Sequence, residues 1–167
     1  ISINRIVLLE VSSMASSLSF GFAQKPVQEV KLETAPDACL KYFNAQISKD
    51  AKVAWVQVED DNDVYVLGAY ELNGDKKQIV FRNNSFYCNK TQIPEAYYPV
   101  KIRHIIDTLA PGFKIVEMYY EHCNREKGYR AVVQKGKGKK AVYRDLMFSV
   151  KNDFLKETPV DKTVRGF

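Results

Sequence analysis

The chain has 167 residues, a length that suits one compact domain or two closely joined halves. Its hydrophobic fraction of 46% is enough for a buried core. The net charge of +5 comes from scattered lysines and one lysine run in a turn, and not from a dense basic stripe. We therefore expect no nucleic-acid partner. The charge indicates solubility, and an acidic protein partner is the alternative.

Residues 1–23 are predicted to be a signal peptide. Arg5 precedes an apolar stretch that begins at Ile6, and Gly21 and Ala23 are small residues of the kind that signal peptidase reads. Glu10 interrupts the apolar stretch, and the alternative interpretation is a buried N-terminal helix. The segment is too short and too polar to span a bilayer. We expect a periplasmic or secreted protein with no stable membrane insertion.

The first predicted unit covers residues 36–92 and follows a polar leader over 24–35. The leader has a short edge strand around 27–32. A helix begins near Pro36, and its apolar stripe contains Cys39, Leu40, Phe43 and Ile47. Strands are predicted over 52–59, 64–72, 77–82 and 85–88.

The dipeptide Asn73-Gly74 predicts a two-residue hairpin, because both residues accept positive φ. This loop places Leu72 opposite Asp75, Tyr70 opposite Lys77 and Gly68 opposite Ile79. Since side chains alternate between faces along a strand, the hairpin divides its residues into two sets. The set expected under the helix is Val64, Val66, Tyr70, Leu72, Ile79 and Phe81. The set expected on the other face is Tyr65, Leu67, Ala69, Glu71, Gln78, Val80 and Arg82.

The second predicted unit covers residues 93–157. Its helix carries the stripe Val100, Ile102, Ile105, Ile106 and Leu109. Strands are predicted over 113–123, 129–134, 140–145 and 146–150, with a short final helix over 152–157. Residues 158–167 are expected to be a C-terminal tail.

The two units look like a repeat. The best local match aligns residues 79–82 with residues 141–144 and Phe86 with Phe148. Pro36 and Pro99 open the two helices at nearly the same spacing. A repeated unit of this kind predicts a sheet built by duplication.

No pattern in the chain supports catalysis or a bound metal, so we expect a non-enzyme with no cofactor. The two histidines, His104 and His122, lie in no strained turn or glycine-rich elbow, and no CxxC or HExxH pattern occurs. The acidic run over 59–63 lacks the glycine and distal glutamate of a calcium loop. The lysines over 135–140 predict a solvated turn, and contact with an acidic partner is the alternative.

The three cysteines leave one question open. Cys39 lies on the apolar stripe of the first helix and is expected to be a small buried side chain. Cys88 and Cys123 lie near strand ends. They either pair in an oxidising compartment or stay as two free thiols.

The chain resembles the PepSY-like family of secreted bacterial proteins, which is similar in fold to the β-lactamase inhibitor protein. The resemblance covers residues 34–150 and rests on four features: the helix at Pro36, Trp55 in the first strand, the tyrosine-rich strand ending in Asn73-Gly74, and the second unit from Pro99 to Phe148. It implies an α+β fold: two tandem helix-plus-strands repeats that form one antiparallel sheet of about eight strands, with both helices on one face.

The same resemblance implies a binding or inhibitory module that holds a protein or peptide of the cell envelope on the free face of the sheet. Aromatic side chains and arginine anchor many protein interfaces. The candidate partner-binding residues are Trp55, Tyr65, Val80, Arg82, Tyr119 and Arg144. Two alternatives stay open, namely a small-ligand, glycan-binding or hydrolytic protein with a pocket between helix and sheet, and a structural envelope protein. No oligomeric state is predicted.

Overall fold

A computed structural model describes residues 28–60, 62–124 and 126–158. The predicted signal peptide, residues 24–27 of the leader, and residues 159–167 of the tail lie outside these ranges. The elements in chain order are β1 (Gln28–Leu32), α1 (Asp37–Gln46), β2 (Val53–Asp60), β3 (Asp63–Leu72), β4 (Asp75–Arg82), β5 (Ser85–Gln92), α2 (Val100–Leu109), β6 (Lys114–Cys123), β7 (Glu126–Lys135), β8 (Val142–Ser149) and β9 (Phe154–Thr158). Within the described ranges, no helix is long and apolar enough to cross a membrane.

The nine strands form one sheet in which the strand order is the same as the chain order. All neighbouring strands are antiparallel. Helix α1 connects β1 to β2 and helix α2 connects β5 to β6. A helix followed by four strands therefore occurs twice along the described chain.

The predicted hairpin is confirmed. Asn73 and Gly74 have φ values of 53° and 84°, as a two-residue loop between twisted strands requires. The observed register pairs Leu72 with Asp75, Tyr70 with Lys77 and Gly68 with Ile79. The division of β3 and β4 residues between the two faces follows from this register and is also as predicted.

Both helices lie on one face of the sheet. Helix α1 buries Cys39 and Phe43 against a core that includes Tyr70, and α2 buries Ile102 and Ile106 against a core that includes Phe148. One row of paired residues connects these two cores across the sheet: Tyr70, Lys77, Thr91, Tyr120, Tyr129 and Phe148. Residues paired across antiparallel strands point to the same side, so the two helices share a face.

One expectation about the end of the chain is wrong: the predicted helix over 152–157 is the edge strand β9. The sheet has nine strands where about eight were expected. Asn152 takes a φ of 66°, and its backbone N–H donates to the carbonyl oxygen of Ser149, so the chain turns back along β8. Pairing with β8 outweighs the short helical pattern, since tertiary contacts override weak local propensity.

The structure resolves the open question about the cysteines. Cys88 on β5 and Cys123 on β6 form a disulfide. Cys39 is a free thiol and is buried under α1, as its position in the apolar stripe predicts. The disulfide joins the two strands that are connected through α2, so it links the first helix-and-strands unit to the second.

Candidate binding face of the sheet

The face opposite the helices, here called the second face, carries an apolar base. Val56, Val58, Leu67, Val80 and Cys88 form one buried cluster on this side. Each of these residues is at most 2% exposed. A smaller cluster continues the base toward β8 and consists of Tyr119, Val132 and Tyr143. None of the described helices packs against either cluster.

Two half-buried tyrosines, Tyr65 and Tyr87, and the exposed Arg82 form the least buried part of the second face, here called the aromatic patch. Tyr65 and Tyr87 pack on the apolar base, and their ring centroids are 6.2 Å apart. Arg82 lies directly opposite Tyr65 in the register, and its side chain is 48% exposed. Tyrosine and arginine are side-chain types that contribute most to affinity at many protein interfaces.

A β-bulge in β5 puts Tyr87 and Cys88 on the same face of the sheet. The register of β4 and β5 shifts between Val80, which pairs with Cys88, and Phe81, which pairs with Phe86. The extra residue is Tyr87, and its ring packs on the same cluster that contains Cys88. Counted from Phe86, which packs under α1, strict alternation also places Tyr87 on the second face, but it would have placed Cys88 on the helix side.

Hydrogen bonds hold Arg82 in position at the end of β4. Its guanidinium Nη2 donates to Oδ2 of Asp63 over 2.5 Å, and the amide of Asn83 donates to the other carboxylate oxygen of Asp63. These two bonds hold the pKa of Asp63 below its usual range. The same bond from Arg82 to Asp63, with a smaller effect of Tyr65, raises the pKa of Arg82. The arginine is therefore a fixed positive charge beside the two rings.

Charged residues on β5 to β8 form a buried row across the second face. Lys90 lies 3.6 Å from Glu121, which accepts a hydrogen bond from Nε of Arg130 over 2.6 Å. Arg130 also donates to Asp145 over 3.1 Å. Two cations and two anions balance one another, as buried charges generally require. The sequence signal was present, since each charge interrupts an apolar strand, but only the register brings the four together.

One buried amide on this face lacks a partner among the described residues. Gln78 lies between Ala69 and Lys90 in the register and is 0% exposed. Neither its side-chain oxygen nor its side-chain nitrogen makes a hydrogen bond. An unsatisfied buried amide destabilises the folded state by about 1–3 kcal/mol. This position therefore lowers the stability of the fold.

Four of the six predicted contact residues lie on the second face, namely Tyr65, Val80, Arg82 and Tyr119. Val80 and Tyr119 are 0% exposed and form part of its base. Tyr65 and Arg82 are accessible and belong to the aromatic patch. The structure thus separates the predicted set into a buried support and an accessible contact surface.

The placement of Trp55 on the second face is wrong. Trp55 lies opposite Gly68, and its ring packs edge-on against Phe43 of α1 at a centroid distance of 5.6 Å. It is 5% exposed and belongs to the core under α1. The acidic turn before β3 carries no signal for register, so the sequence did not determine which face Trp55 occupies.

The placement of Arg144 is also wrong. Arg144 pairs with Val133, a core residue under α2, and its guanidinium lies 5.4 Å from the ring centroid of Phe113. The local match of residues 79–82 with 141–144 had equated Arg144 with Arg82. In the structure, Leu146 and Phe148 pack under α2 as Ile79 and Phe81 pack under α1. The longer turn before β8 shifts the register and moves Arg144 to the other face.

One group of described residues brings three potential metal ligands within 4.8 Å of one another: Cys88, Glu121 and Cys123. The two cysteine sulfurs are bonded to each other, so neither is available as a thiolate ligand. His104 and His122 are exposed and lie away from this group, on α2 and on the other side of β6.

A cleft lies between α2 and the start of β6. It has a volume of about 300 Å³, and its lining includes Tyr98, Arg103, Asp107, Phe113 and Lys114. Arg103 lies over the ring of Tyr98 at 5.5 Å and donates to the backbone oxygen of Glu95. This cleft corresponds to the helix–sheet pocket that the alternative interpretation of the sequence required.

The chain matches no protein-family model and no curated protein. Among solved structures, it is similar to a BLIP-like protein from Bacteroides fragilis, with 17% identity and a TM-score of 0.54 over 76% of this chain and 88% of that one. It is also similar to a DUF2874 family protein from Bacteroides uniformis, with 12% identity and a TM-score of 0.57 over 79% and 96%. A third similar structure is a putative periplasmic protein from Bacteroides eggerthii, with 15% identity and a TM-score of 0.54 over 75% and 88%. These likenesses show that the fold is BLIP-like.

Proposed function

We propose that the chain is a non-catalytic binding module of the periplasm, or a secreted one, that holds a protein or peptide of the cell envelope on the second face. The aromatic patch of Tyr65, Tyr87 and Arg82 makes the contact, and buried Val80 supports it from below. Tyr119 belongs to the neighbouring buried cluster of the same face. The observation that carries the proposal is the position of this patch, which lies on the face of the sheet opposite the two described helices.

The composition and rigidity of the patch support a role in protein binding. Tyrosine and arginine are enriched among the residues that contribute most to interface affinity. The bonds to Asp63 fix Arg82 before a partner arrives, so little side-chain entropy is lost on binding. Buried valines hold the rings from beneath, and a firm apolar base is typical of such anchors.

Three observations support the compartment. Residues 1–23 have the pattern of a signal peptide. A BLIP-like protein and a putative periplasmic protein share the fold. The disulfide between Cys88 and Cys123 is consistent with an oxidising compartment. Export to the periplasm would explain all three.

The experiment is affinity capture of envelope proteins by the mature chain, with matched variants. The test variants are Tyr65→Ala and Arg82→Ala. The controls are Tyr97→Ala, which removes an exposed tyrosine outside the face, and Arg144→Ala, which removes an arginine on the helix side. Capture should be lost with the test variants and kept with the controls.

Titration with a purified partner then measures how much affinity each test variant loses. Each test variant should weaken its affinity about thirtyfold, which corresponds to about 2 kcal/mol for an interface anchor. Circular dichroism verifies that all four variants are folded. If the test and control variants capture the same proteins with the same affinity, the second face is not the binding surface.

The cleft beside α2 favours a second candidate, the binding of a small ligand. Carboxylates, a guanidinium, an ammonium and two aromatic rings converge there. Thermal-shift screening of small charged ligands tests it. A ligand whose effect disappears in Phe113→Ala and persists in Tyr65→Ala would support the cleft over the aromatic patch.

We also propose that residues 36–92 and 93–157 are two copies of one unit. Trp55 opposite Gly68 under α1 corresponds to Met118 opposite Ala131 under α2. An alignment of homologues checks this proposal. The two halves should share apolar positions when Trp55 is aligned with Met118. They should not share them when residues 79–82 are aligned with residues 141–144.

A further inference from the structure

The connection between β7 and β8, here called the basic turn, carries four exposed lysines: Lys135, Lys137, Lys139 and Lys140. Gly136 and Gly138 have φ values of 80° and 61°, which glycine adopts without strain. A side-chain carbon added at Gly138 would have no atom within 4 Å. The turn therefore projects from the sheet, and its lysines are not covered.

The surroundings of the basic turn add positive charge and exposed apolar surface. Lys114 begins β6 beside β7 and is exposed, and Lys135 lies over the ring of Phe113 at 5.8 Å. Val142, which pairs with Lys135, is 47% exposed, and Leu109 at the end of α2 is 42% exposed. One end of the sheet thus carries exposed lysines next to isolated exposed aliphatic side chains.

The type of cation argues against a protein partner at this end. Lysine is depleted at protein interfaces, whereas arginine and tyrosine are enriched. Flexible lysines with a few exposed aliphatic groups instead match a fluid surface of anionic lipids, where basic residues contact headgroups and apolar ones reach the acyl boundary. We propose that the basic turn docks the protein on the anionic phospholipid headgroups of a bilayer surface, without insertion.

The geometry makes this contact compatible with binding on the second face. Lys77 pairs with Thr91, and Gln92 with Tyr119, so β4 begins at the same end of the sheet as β6. Arg82 ends β4 and therefore lies at the opposite end from the basic turn. A protein docked through its lysines would present the aromatic patch away from the membrane.

The expected effect follows from the charge. Each lysine near an anionic membrane surface strengthens binding about fivefold, and the effect falls off within a Debye length. Replacement of three lysines should therefore weaken vesicle binding about a hundredfold. The same binding should weaken steeply as the salt concentration rises.

The experiment is vesicle co-sedimentation of the full chain. Vesicles of phosphatidylcholine with phosphatidylglycerol are compared with vesicles of phosphatidylcholine alone. The test variant is Lys137→Gln/Lys139→Gln/Lys140→Gln. The control is Lys41→Gln/Lys127→Gln/Lys151→Gln, which makes the same change in net charge at exposed sites elsewhere and keeps the same termini.

Binding to the anionic vesicles that the test variant loses and the control retains would support the proposal. Equal losses in both variants would overturn it, because net charge alone would then explain the binding. Equal binding to both kinds of vesicle would overturn it as well. Binding to soluble polyglutamate as tight as to anionic vesicles would identify an acidic polypeptide as the occupant instead.

Discussion

The close contact between Gly68 and Trp55 predicts a substitution whose effect on stability changes sign with its background. A side-chain carbon built on Gly68 would lie 2.5 Å from Cζ3 of Trp55 and 2.9 Å from two further ring atoms. Carbon atoms pack favourably at about 3.5–4.0 Å, so Gly68→Ala must displace the ring. Trp55 contacts Phe43 and Phe81, so the displacement would disturb the packing of α1 on the sheet.

The two contributions to the free energy of unfolding can be estimated separately. Overpacking a core site costs about 1–3 kcal/mol, and alanine in place of glycine in a strand recovers about 0.5–1 kcal/mol. Gly68→Ala should therefore destabilise the protein by about 1 kcal/mol from the two midpoints, and by at most about 2.5 kcal/mol. In a Trp55→Leu background the ring is absent, and the same substitution should stabilise the protein by about 0.5–1 kcal/mol.

Urea unfolding followed by far-UV circular dichroism measures all four proteins of this cycle. The chain has one tryptophan, so its fluorescence gives a second probe where Trp55 is present. A Gly68→Ala effect of equal size and sign in both backgrounds would show that the contact with Trp55 does not explain the glycine.

Three further outcomes are expected. Gln78→Leu should raise the free energy of unfolding by about 1–3 kcal/mol in urea titrations, because it removes a buried amide without partners; a loss of stability would contradict the unpaired amide. Cys88→Ala/Cys123→Ala should lower it by about 2–4 kcal/mol, since the disulfide closes a long loop, and an unchanged denaturation midpoint would refute this contribution. Arg144 holds the pKa of Glu157 below its usual 4.5, chiefly through its hydrogen bond. This contribution to stability is present above pH 4.5 and disappears as pH falls through the lowered pKa, so native and Glu157→Gln proteins should converge in stability in acid; a constant difference from neutral to acid pH would argue against the pair.

The sequence predicted faces well where the turn chemistry determines the register. Asn73-Gly74 permits one tight loop, and every pairing along β3 and β4 follows from it. The same argument does not apply to Trp55 or Arg144. The acidic turn between β2 and β3 and the lysine-glycine turn between β7 and β8 do not have a sequence that determines one loop length. A change of one residue in a turn moves every side chain of the next strand to the other face.

The predicted contact surface was incomplete for a related reason. It omits Tyr87, which lies at a bulge in β5 that no pattern in the sequence signals. The partners of Lys90, Glu121, Arg130 and Asp145 lie on different strands, so their pairing depends on tertiary structure. Edge strand β9 likewise depends on β8, because a short segment of mixed polarity is ambiguous between helix and strand.

The order of strands in this sheet has a consequence for the speed and sequence of folding. Each strand pairs with the strand next to it in the chain, so most pairings are hairpins that close short loops. Only the pairings of β1 with β2 and of β5 with β6 must wait for a helix to form or for a longer segment to close. We therefore expect the first half to assemble before the second is complete and β5 to pair with β6 late. The disulfide between Cys88 and Cys123 then joins these two strands covalently.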